Sequence, residues 1–499
     1  MTSEQQRVVV IGGGLAGLRL AARLGGDVRV LGEEEHVPYN RVLLAEVLAG
    51  RYAPEVTALP APGPALRRGV RAVRIDRAER MVHCDDGTVE RYGTLVLATG
   101  SNPVLPPLRG LFEPEGRELP AGVHAFRTMD DCLALSAAVR PGVRAVVIGG
   151  GLLGVSAARA LAERGAQVVL AQQGERLMER QLDAEASELL HAHLTTLGVE
   201  IHTECRVRGL STTPAAPLPG LRPGPRASNA GGAEIALRAT HPQLSGGAGQ
   251  NPAPPGGPPG RSLGEFEERV RAAPGTPRRA AAPEATPGRS PRSTPAPTPR
   301  RVTGVELADG YRLEADLVVL ACGVRPRTGL ALAAGLDVRK GILVDDELRT
   351  SDPRIHAVGD CAEHAGRVYG LAGPALEQAD ALAGVLLGTG RGLTADPAYS
   401  GTRALTRLTL TAGGDRPLDL AAFGETTPLP GDDVVRLADA TRRTYRKVVI
   451  RGDRLVGGVL LGELSTVGAL ARSWEDGASL TDRHGLSDLH HLLTDDGGS

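Results

Sequence analysis

The sequence of 499 residues has few aromatic side chains, little lysine and no clustered cysteine. Aromatic residues make up 2% of it, too few for a protein that reads bases by stacking. Lys plus Arg is 57 and Asp plus Glu is 58, and this balance argues against nucleic-acid and membrane-surface binding. Neighbouring cysteines are at least 39 residues apart, which excludes a CxxC redox pair and the usual zinc or iron–sulfur motifs. The five cysteines are Cys84, Cys132, Cys205, Cys322 and Cys361.

Long apolar segments are absent as well. No run approaches about 18 apolar residues, so we expect no membrane-spanning helix. The polar start MTSEQQR leads directly into an apolar strand, so we expect no signal peptide. The five scattered cysteines do not form a disulfide framework, which fits a protein of a reducing compartment. The resulting hypothesis is a cytoplasmic protein that binds neither nucleic acid nor membrane.

Residues 211–300 differ in composition from the rest of the chain. They hold 19 of the 37 prolines and 13 glycines, with 11 Arg against five Glu. Few large apolar groups are available to bury, so ordering this stretch would cost more conformational entropy than it returned. We interpret it as a disordered insertion in a surface hairpin. A partner-docking arm is the alternative that its excess of positive charge leaves open.

An internal repeat is found on the two sides of position 140. Residues 7–17 read RVVVIGGGLAG and residues 144–154 read RAVVIGGGLLG. Each is an apolar β-branched run followed by glycines and a helical pattern, which predicts two βαβ units and two parallel-sheet nucleotide-binding domains. In GxGxxG the first Gly permits the tight turn, the second admits a pyrophosphate and the third lets helix and strand pack closely. The predicted glycines are Gly12, Gly14 and Gly17, then Gly149, Gly151 and Gly154.

The residue that would hold the ribose differs between the two copies. Glu33 stands 21 residues after Gly12 in the first copy, where a carboxylate accepts both ribose hydroxyls and repels a 2′-phosphate. A solvated acidic turn is the alternative, because Glu33 is followed by two further glutamates. In the second copy Gln172 takes this place, with Arg176 close by. The choice between NADH and NADPH therefore stays open.

These motifs, in this order, resemble those of flavoprotein reductases with two dinucleotide-binding domains. LVLATG at 95–100 and IHAVGDCA at 355–362 are similar to the two later FAD motifs of that family, and YRLEADLVVLACGVR at 311–325 to the strand that closes its NAD domain. The resemblance implies FAD and NAD(P)H as cofactors. The further cofactor-binding residues that it implies are Ala16, Ala72, Thr99, Gly100 and Asp360 for FAD, and Gly323 near the nicotinamide.

The resemblance also implies an α/β fold with two Rossmann-like dinucleotide-binding domains, a small C-terminal α+β interface domain and the long insertion. The predicted bounds are 5–125 and 322–396 for the FAD domain, 126–321 for the NAD(P)H domain with 211–300 inside it, 399–480 for the interface domain and 481–499 for a flexible tail. Trp474 is expected to fill a core or to shield the flavin.

Within that family the likeness is narrower. PYNRVLLAEVLAG at 38–50 and GRVYGLAGPALEQA at 366–379 are similar to the flavoprotein module of assimilatory NAD(P)H–nitrite reductase large subunits, which also serves as the electron-transfer subunit of assimilatory nitrate reductases. Rubredoxin and ferredoxin reductases often carry a lysine where this chain reads Val42–Glu46. Arg41 remains, and we expect it near the flavin or its phosphates, with a plain surface arginine as the alternative.

The resemblance implies that electrons pass from NAD(P)H through FAD to a separate partner. That partner would be an iron–sulfur or haem protein, or a nitrite or nitrate reductase catalytic subunit. We predict no catalytic side chain and no metal site, and since no cysteine follows Cys361 we expect the nitrite chemistry on another polypeptide. A rubredoxin or ferredoxin reductase and a flavin-bound redox sensor with residual reductase activity are the alternatives. A homodimer is also considered.

Overall fold

The computed structural model describes residues 7–61, 63–112, 118–214, 300–388, 399–403, 405–410, 417–477 and 479. All of them belong to one structural unit. The predicted insertion between 215 and 299 and the predicted tail at 481–499 lie outside the described residues. In the described ranges, no helix is long and apolar enough to cross a membrane.

Before residue 215 the chain contains the two βαβ units that the repeat predicts, separated by a run of short strands. The elements up to residue 112 are β1 (Val8–Ile11), α1 (Leu15–Leu24), β2 (Val28–Gly32), α2 (Leu44–Leu48), β3 (Leu66–Arg68), β4 (Ala72–Asp76), β5 (Met81–Cys84), β6 (Val89–Arg91), β7 (Thr94–Leu97) and β8 (Ser101–Pro103). Those from 118 to 214 are β9 (Val123–Ala125), α3 (Met129–Ala138), β10 (Arg144–Ile148), α4 (Leu152–Glu163), β11 (Gln167–Ala171), α5 (Ala184–Thr196), β12 (Val199–His202) and β13 (Val207–Pro214).

The chain after residue 299 completes both halves and adds an antiparallel sheet. Its first elements are β14 (Arg300–Leu307), β15 (Arg312–Glu314), β16 (Leu317–Leu320), β17 (Val324–Pro326), α6 (Gly329–Ala333), β18 (Ile342–Val344), β19 (Ile355–Ala357), β20 (Ala362–His364) and α7 (Ala372–Leu387). The last are β21 (Leu405–Leu410), β22 (Leu418–Gly424), β23 (Asp433–Asp439), β24 (Thr444–Arg451), β25 (Arg454–Leu461) and α8 (Val467–Asp476).

The first parallel sheet has the strand order β19-β7-β1-β2-β3. β1 lies in its middle, because Val8 pairs with both Val28 and Thr94. A central parallel strand is covered on both faces, which is why β1 is a continuous β-branched run and Val9 and Val10 are fully buried. The helix α1, which connects β1 to β2, and the later helix α7 pack together on one face of the sheet.

The second parallel sheet repeats this plan with the order β12-β11-β10-β16-β9. Its central strand is β10, since Ala145 pairs with both Val168 and Leu317. Two parallel sheets of this kind in one chain, each with a glycine loop and a helix after its central strand, confirm the predicted fold class. The halves are joined by an antiparallel pairing of β17 with β8, in which Val324 is opposite Pro103.

The hairpin of β13 and β14 corrects both boundaries of the predicted 211–300 insertion. The pairing runs from Val207 opposite Leu307 to Pro214 opposite Arg300. Residues 211–214 and Arg300 therefore belong to the sheet, although their composition resembles that of the insertion. Backbone hydrogen bonds to a neighbouring strand decide their structure, and these depend little on side-chain composition.

The C-terminal sheet is antiparallel, with the order β21-β22-β25-β24-β23. One of its faces shares a core with the second half of the chain, where Leu420 and Val459 join Leu190 of α5. The other face packs against α8, with the Phe423 and Trp474 ring centroids 5.2 Å apart. Trp474 therefore fills a core.

An ion pair fastens this sheet to the second half. Asp183 caps the N-terminus of α5 and accepts hydrogen bonds from Lys447 Nζ and Tyr445 Oη, both at 2.7 Å. Burial works against the ionisation of Asp183, but the hydrogen bonds from Lys447 and Tyr445 outweigh it and lower the pKa of the carboxyl. The C-terminal sheet is thus anchored on the predicted NAD(P)H half. The residue bounds predicted for the individual domains stay predictions.

Candidate functional site

The first glycine loop connects β1 to α1 at the carboxyl end of the first sheet. Gly12 has a φ of +124°, and a Cβ there would lie 2.1 Å from the carbonyl oxygen of Ala98. A Cβ on Gly17 would lie 2.1 Å from the carbonyl oxygen of Gly12, and Ala16 beside it is buried. The fold itself therefore requires glycine at the first and third positions of the motif.

Gly14 differs, because the fold leaves the space around it open. Its φ of −85° suits any residue, and no atom of the described chain lies within 4 Å of an ideal Cβ. Gly14 is the N-cap of α1, and no side chain caps that helix. The first N–H groups of a helix lack partners within it, and the helix dipole makes this end positive. The residues present fit an anionic group such as a pyrophosphate.

The second glycine loop repeats this arrangement between β10 and α4. A Cβ on Gly149 would lie 2.5 Å from the carbonyl oxygen of Ala321, and one on Gly154 would lie 1.7 Å from that of Gly149. Gly151 is the N-cap of α4, has a φ of −81° and lacks a side-chain cap. Its surroundings are also open within the described ranges. Both helices thus present an uncapped N-terminus to an anion.

Glu33 is brought together with Thr99 and Gly100 by Arg327. Glu33 Oε2 lies 2.6 Å from Arg327 Nη1 in a half-exposed ion pair. The backbone N–H of Arg327 donates to the Gly100 carbonyl at 2.9 Å, and Thr99 Oγ1 donates to the Arg327 carbonyl at 2.8 Å. Arg327 directly follows β17, so the segment that returns from the second half is fastened to three predicted FAD-site residues.

Asp360 lies in the short 3-10 helix Gly359–Cys361, directly after β19. Its Oδ2 accepts hydrogen bonds from Ser101 Oγ at 2.8 Å and from Arg127 Nη2 at 2.6 Å. Burial lowers the pKa of the Arg127 guanidinium, and Asp360 offsets part of that effect. Arg127 Nε is buried and has no hydrogen-bond partner among the residues described. A buried donor of this kind is costly unless a ligand supplies an acceptor, so the site fits a polar ligand.

Arg41 belongs to the same network. Its guanidinium pairs with the Glu34 carboxylate and donates to Tyr39 Oη at 3.1 Å and to the Arg127 carbonyl at 3.0 Å. Tyr39 Oη donates to Glu34 Oε2 at 2.6 Å, and burial raises the pKa of this hydroxyl. Arg41 is therefore fixed in place and connected to Asp360 through Arg127. Its contact with a flavin stays a prediction.

Two predicted residues lie apart from these loops. Ala72 begins β4 and is half-buried against the core that contains Val82. Gly323 follows β16 with a φ of +95°, and within the described chain no atom approaches its ideal Cβ to 4 Å. Gly323 borders a cavity of about 570 Å³ between the two halves. The cofactor contacts of both residues stay predictions.

Gln172 follows β11 and holds the second glycine loop. Its Oε1 accepts the N–H of Gly150 at 2.8 Å, and its Nε2 donates to the Arg176 carbonyl at 3.3 Å. The amide thus has a structural task that the sequence did not indicate. Its contact with a ribose, and with it the choice between NADH and NADPH, stays a prediction.

The thiols do not form a reactive pair. All five cysteines are free. Cys361 is fully buried and its thiol donates to the Leu97 carbonyl at 3.3 Å. Burial raises the pKa of Cys322 to about 11, so this thiol is neutral near pH 7. The described residues contain no cluster of three or more His, Cys, Asp or Glu side chains that could hold a metal ion.

Sequence reasoning missed Arg127, Arg327 and Glu34, which complete the network around the first glycine loop. The signal for Arg127 was weak: it stands just before Thr128, the N-cap of α3. Arg327 follows the strand that leaves the second half, and nothing in its neighbourhood points to Glu33, 294 residues earlier.

Three comparisons with known proteins agree with this geometry. Residues 6–217 and 290–379 match the family described as pyridine nucleotide-disulphide oxidoreductase. Residues 417–477 match the rubredoxin NAD+ reductase C-terminal domain. The crystal structure of the covalent putidaredoxin reductase–putidaredoxin complex superposes with a TM-score of 0.69 at 22% identity over 99% of both chains, a likeness of fold.

Two curated relatives are a nitrite reductase and a nitrate reductase subunit. A nitrite reductase [NAD(P)H] of Bacillus subtilis strain 168 is 28% identical over 507 residues, which cover 99% of this chain and 50% of the relative. The assimilatory nitrate reductase electron transfer subunit of the same organism is 28% identical over 472 residues, covering 92% of this chain and 48% of the relative. The chain thus spans about half the length of these relatives.

Proposed function

Because the chain belongs to the pyridine nucleotide-disulphide oxidoreductase family, we propose that it takes electrons from NAD(P)H through FAD and passes them to a separate redox partner. It is an oxidoreductase whose cofactors are FAD and NAD(P)H. The observation that carries the proposal is the pair of open positions at Gly14 and Gly151. The fold does not need glycine there, whereas a dinucleotide pyrophosphate does, because it must approach bare backbone N–H groups.

The first half would hold FAD at both ends. The N-terminus of α1 at Gly14 would bind the pyrophosphate. Glu33 uses one carboxylate oxygen for Arg327, which leaves the other to accept a ribose hydroxyl. Asp360 and the unpaired Nε of Arg127 would bind polar groups towards the flavin end.

The second half would hold NAD(P)H. The N-terminus of α4 at Gly151 offers the same anion site as α1. Gln172 keeps the loop in shape through Gly150 and would lie beside the ribose. Gly323 provides bare backbone at the opposite end, where a planar ring needs close approach.

Binding and orientation are the tasks of the protein groups. FAD, when bound, supplies the exchange between two-electron transfer with a nicotinamide and one-electron transfer to a metal centre. Asp360 is held by two donors, and the Tyr39 hydroxyl stays protonated because burial raises its pKa. We therefore assign these groups to holding the cofactor and predict no proton transfer by either.

The partner that the relatives favour belongs to nitrite or nitrate assimilation. The matched region is about half of the nitrite reductase, and the other relative is named an electron transfer subunit. We therefore assign to this chain the supply of electrons, delivered to an iron–sulfur or haem centre of a catalytic subunit. The reduction of nitrite itself is not assigned to it.

A second candidate is a rubredoxin or ferredoxin reductase. It is favoured by residues 417–477, which match the rubredoxin NAD+ reductase C-terminal domain. Both candidates share the NAD(P)H and FAD steps and differ only in the acceptor. The acceptor is therefore the property that an experiment must decide.

The test begins with the absorbance spectrum of the purified protein, in which we expect bound FAD. Anaerobic titration with NADH and then NADPH should bleach the flavin band with one equivalent. Stopped-flow mixing of the reduced protein with rubredoxin, with a ferredoxin and with a nitrite reductase catalytic subunit then ranks the acceptors. Protein that binds no FAD, or FAD that neither coenzyme reduces, would contradict the proposal.

A further inference from the structure

Four charged side chains meet between the helices α2 and α4. Glu46 lies in α2 and Arg51 follows the end of that helix, whereas Arg159 and Glu163 lie in the C-terminal half of α4. Arg159 is only 1% exposed and is one of the largest fully buried side chains described. The reaction proposed above uses none of these four groups.

The four groups form alternating ion pairs. Arg159 Nη2 pairs with Glu46 Oε1, and Arg159 Nη1 lies 3.5 Å from Glu163 Oε1. Arg51 Nη2 lies 2.6 Å from Glu163 Oε1, and Arg51 Nη1 lies 3.3 Å from Glu46 Oε2. Each arginine thus contacts both carboxylates. The result is a closed ring of charges, without net charge, that links α4 to α2.

The charge ring is a costly way to hold two helices together. Burial raises the pKa of the Glu163 carboxyl, and Arg159 and Arg51 offset part of that effect. Apolar contacts already join the helices, because one core contains Leu44, Val47 and Leu48 of α2 and Val155 and Ala158 of α4. Replacing a buried ion pair by apolar residues of similar volume is often neutral or stabilising, so stability alone does not account for the ring. The best-attested use of such buried charges is to fix the register of packed helices.

The two helices carry the two sides of the proposed cofactor site. The 3-10 turn Arg41–Leu43 leads directly into α2, and Arg41 is the side chain that we expect near the flavin. The helix α4 begins after Gly151, where the coenzyme pyrophosphate is proposed to bind. A shift of α4 along α2 would leave a buried charge without its partner, so the ring opposes such a shift.

We propose that Arg159 is a positioning residue for hydride transfer, because its pairing with Glu46 fixes α4 against α2 and thereby the coenzyme against the flavin. The inference rests on the proposed function and extends it to a residue outside both glycine loops. In that reaction a hydride, which is two electrons with one proton, leaves the dihydronicotinamide and reduces the flavin, and NAD(P)+ is the product. Reacting atoms must approach to about 3–3.5 Å, and a misplacement of about 1 Å can slow a reaction about 100-fold.

A double variant separates positioning from stability. Arg159→Met combined with Glu46→Met removes one charge of each sign and leaves the 2.6 Å pair of Arg51 with Glu163. Its melting temperature should stay close to that of the wild type. The rate constant of flavin reduction is measured by stopped flow with saturating NADH or NADPH, whichever reduces the wild type. It should fall about 10- to 100-fold, while the Kd of the coenzyme changes less than about threefold because the glycine loop is intact.

Hydrogen–deuterium exchange of the oxidised protein without coenzyme gives a readout that needs no turnover. The backbone amides of α2 and α4 should exchange faster in the double variant, and those of β1 should exchange as in the wild type. The matched control is Lys447→Met, which removes a buried cation that pairs with Asp183 outside this contact. It should lower the melting temperature but change neither the rate constant of flavin reduction nor the exchange of α2 and α4.

Three results would overturn the inference while the proposed function stands. The first is a double variant that reduces its flavin at the wild-type rate, since the ring would then contribute to stability only. The second is wild-type exchange of α2 and α4 in that variant. The third is a Lys447→Met protein that is slowed as much as the double variant, since lost stability would then suffice. A wild-type flavin that neither coenzyme reduces would instead refute the proposed function, and the role of Arg159 in hydride transfer with it.

Discussion

Replacing Gly14 by valine should remove FAD while leaving the fold intact. Gly14 has a φ of −85°, which valine adopts readily, and within the described structure its Cβ would meet nothing within 4 Å. The branched side chain would occupy the space through which a pyrophosphate reaches the first N–H groups of α1. The substitution thus acts on the ligand and not on packing.

We expect a small effect on the stability of the cofactor-free protein and a large effect on the binding of FAD. Valine is a poorer N-cap than glycine, so the free energy of unfolding of the cofactor-free protein should fall by about 1 kcal/mol at most. Loss of two charge-assisted hydrogen bonds of about 1.5–3 kcal/mol each weakens FAD binding by about 3–6 kcal/mol. This corresponds to a rise in Kd of roughly 150- to 20,000-fold.

The assay is the FAD content of the purified variant, measured by absorbance, followed by a urea titration of the cofactor-free proteins. Gly12→Ala is the matched comparison: its Cβ would lie 2.1 Å from the Ala98 carbonyl at a φ of +124°, so it should lower the free energy of unfolding itself. Full FAD content in Gly14→Val would refute the reasoning. A cofactor-free Gly14→Val protein as unstable as Gly12→Ala would refute it equally.

Further predictions concern coenzyme choice, buried charge, pH and the insertion. Gln172→Glu keeps the acceptor for Gly150 and adds repulsion to a 2′-phosphate, so kcat/KM should shift several-fold towards NADH, or about 1 kcal/mol. Arg159→Met removes a buried guanidinium and leaves the partly buried Glu46 with Arg51 alone, which should cost about 1–3 kcal/mol in a urea titration. The Asp183 carboxylate, whose pKa is lowered in the fold, stabilises the protein at pH above the ordinary pKa of 3.8. This stabilisation is lost as the pH falls and the carboxyl is protonated. Below pH 3.8 the melting temperature of Asp183→Asn should therefore depend less on pH than that of the wild type. Replacing residues 215–299 by a short Gly/Ser turn should leave FAD content and NADH–ferricyanide turnover unchanged, because the strand ends on either side are cross-strand neighbours.

Each of these has a contrary outcome. An unchanged coenzyme ratio in Gln172→Glu would mean that the ribose is read elsewhere. An Arg159→Met protein within about 0.5 kcal/mol of the wild type would show that Arg51, which also pairs with Glu46, compensates fully. If the melting temperatures of Asp183→Asn and the wild type changed in parallel with pH, the ion pair of Asp183 with Lys447 would not contribute to acid stability. Loss of FAD on replacing 215–299 would make that segment a structural part of the domain.

The sequence alone determined the two dinucleotide-binding halves. The run RVVVIGGGLAG at 7–17 and its copy at 144–154 specify strand, turn and helix within eleven residues, because β-branched residues favour buried strands and glycine permits a positive φ. Gly12 and Gly149 have φ of +124° and +109°, as such turns require. The fold class and the family resemblance were confirmed, since both depend on local patterns.

Only the tertiary structure decided which charges meet. Glu33 pairs with Arg327, 294 residues away, and Asp360 with Arg127, 233 residues away. The cavity that Gly323 borders likewise brings together Arg180 and Lys340 from segments far apart in the chain. Local periodicity specifies the element on which a side chain lies but not the element that packs against it. Which charged side chains meet depends on how the two halves are joined, and long-range packing decides this.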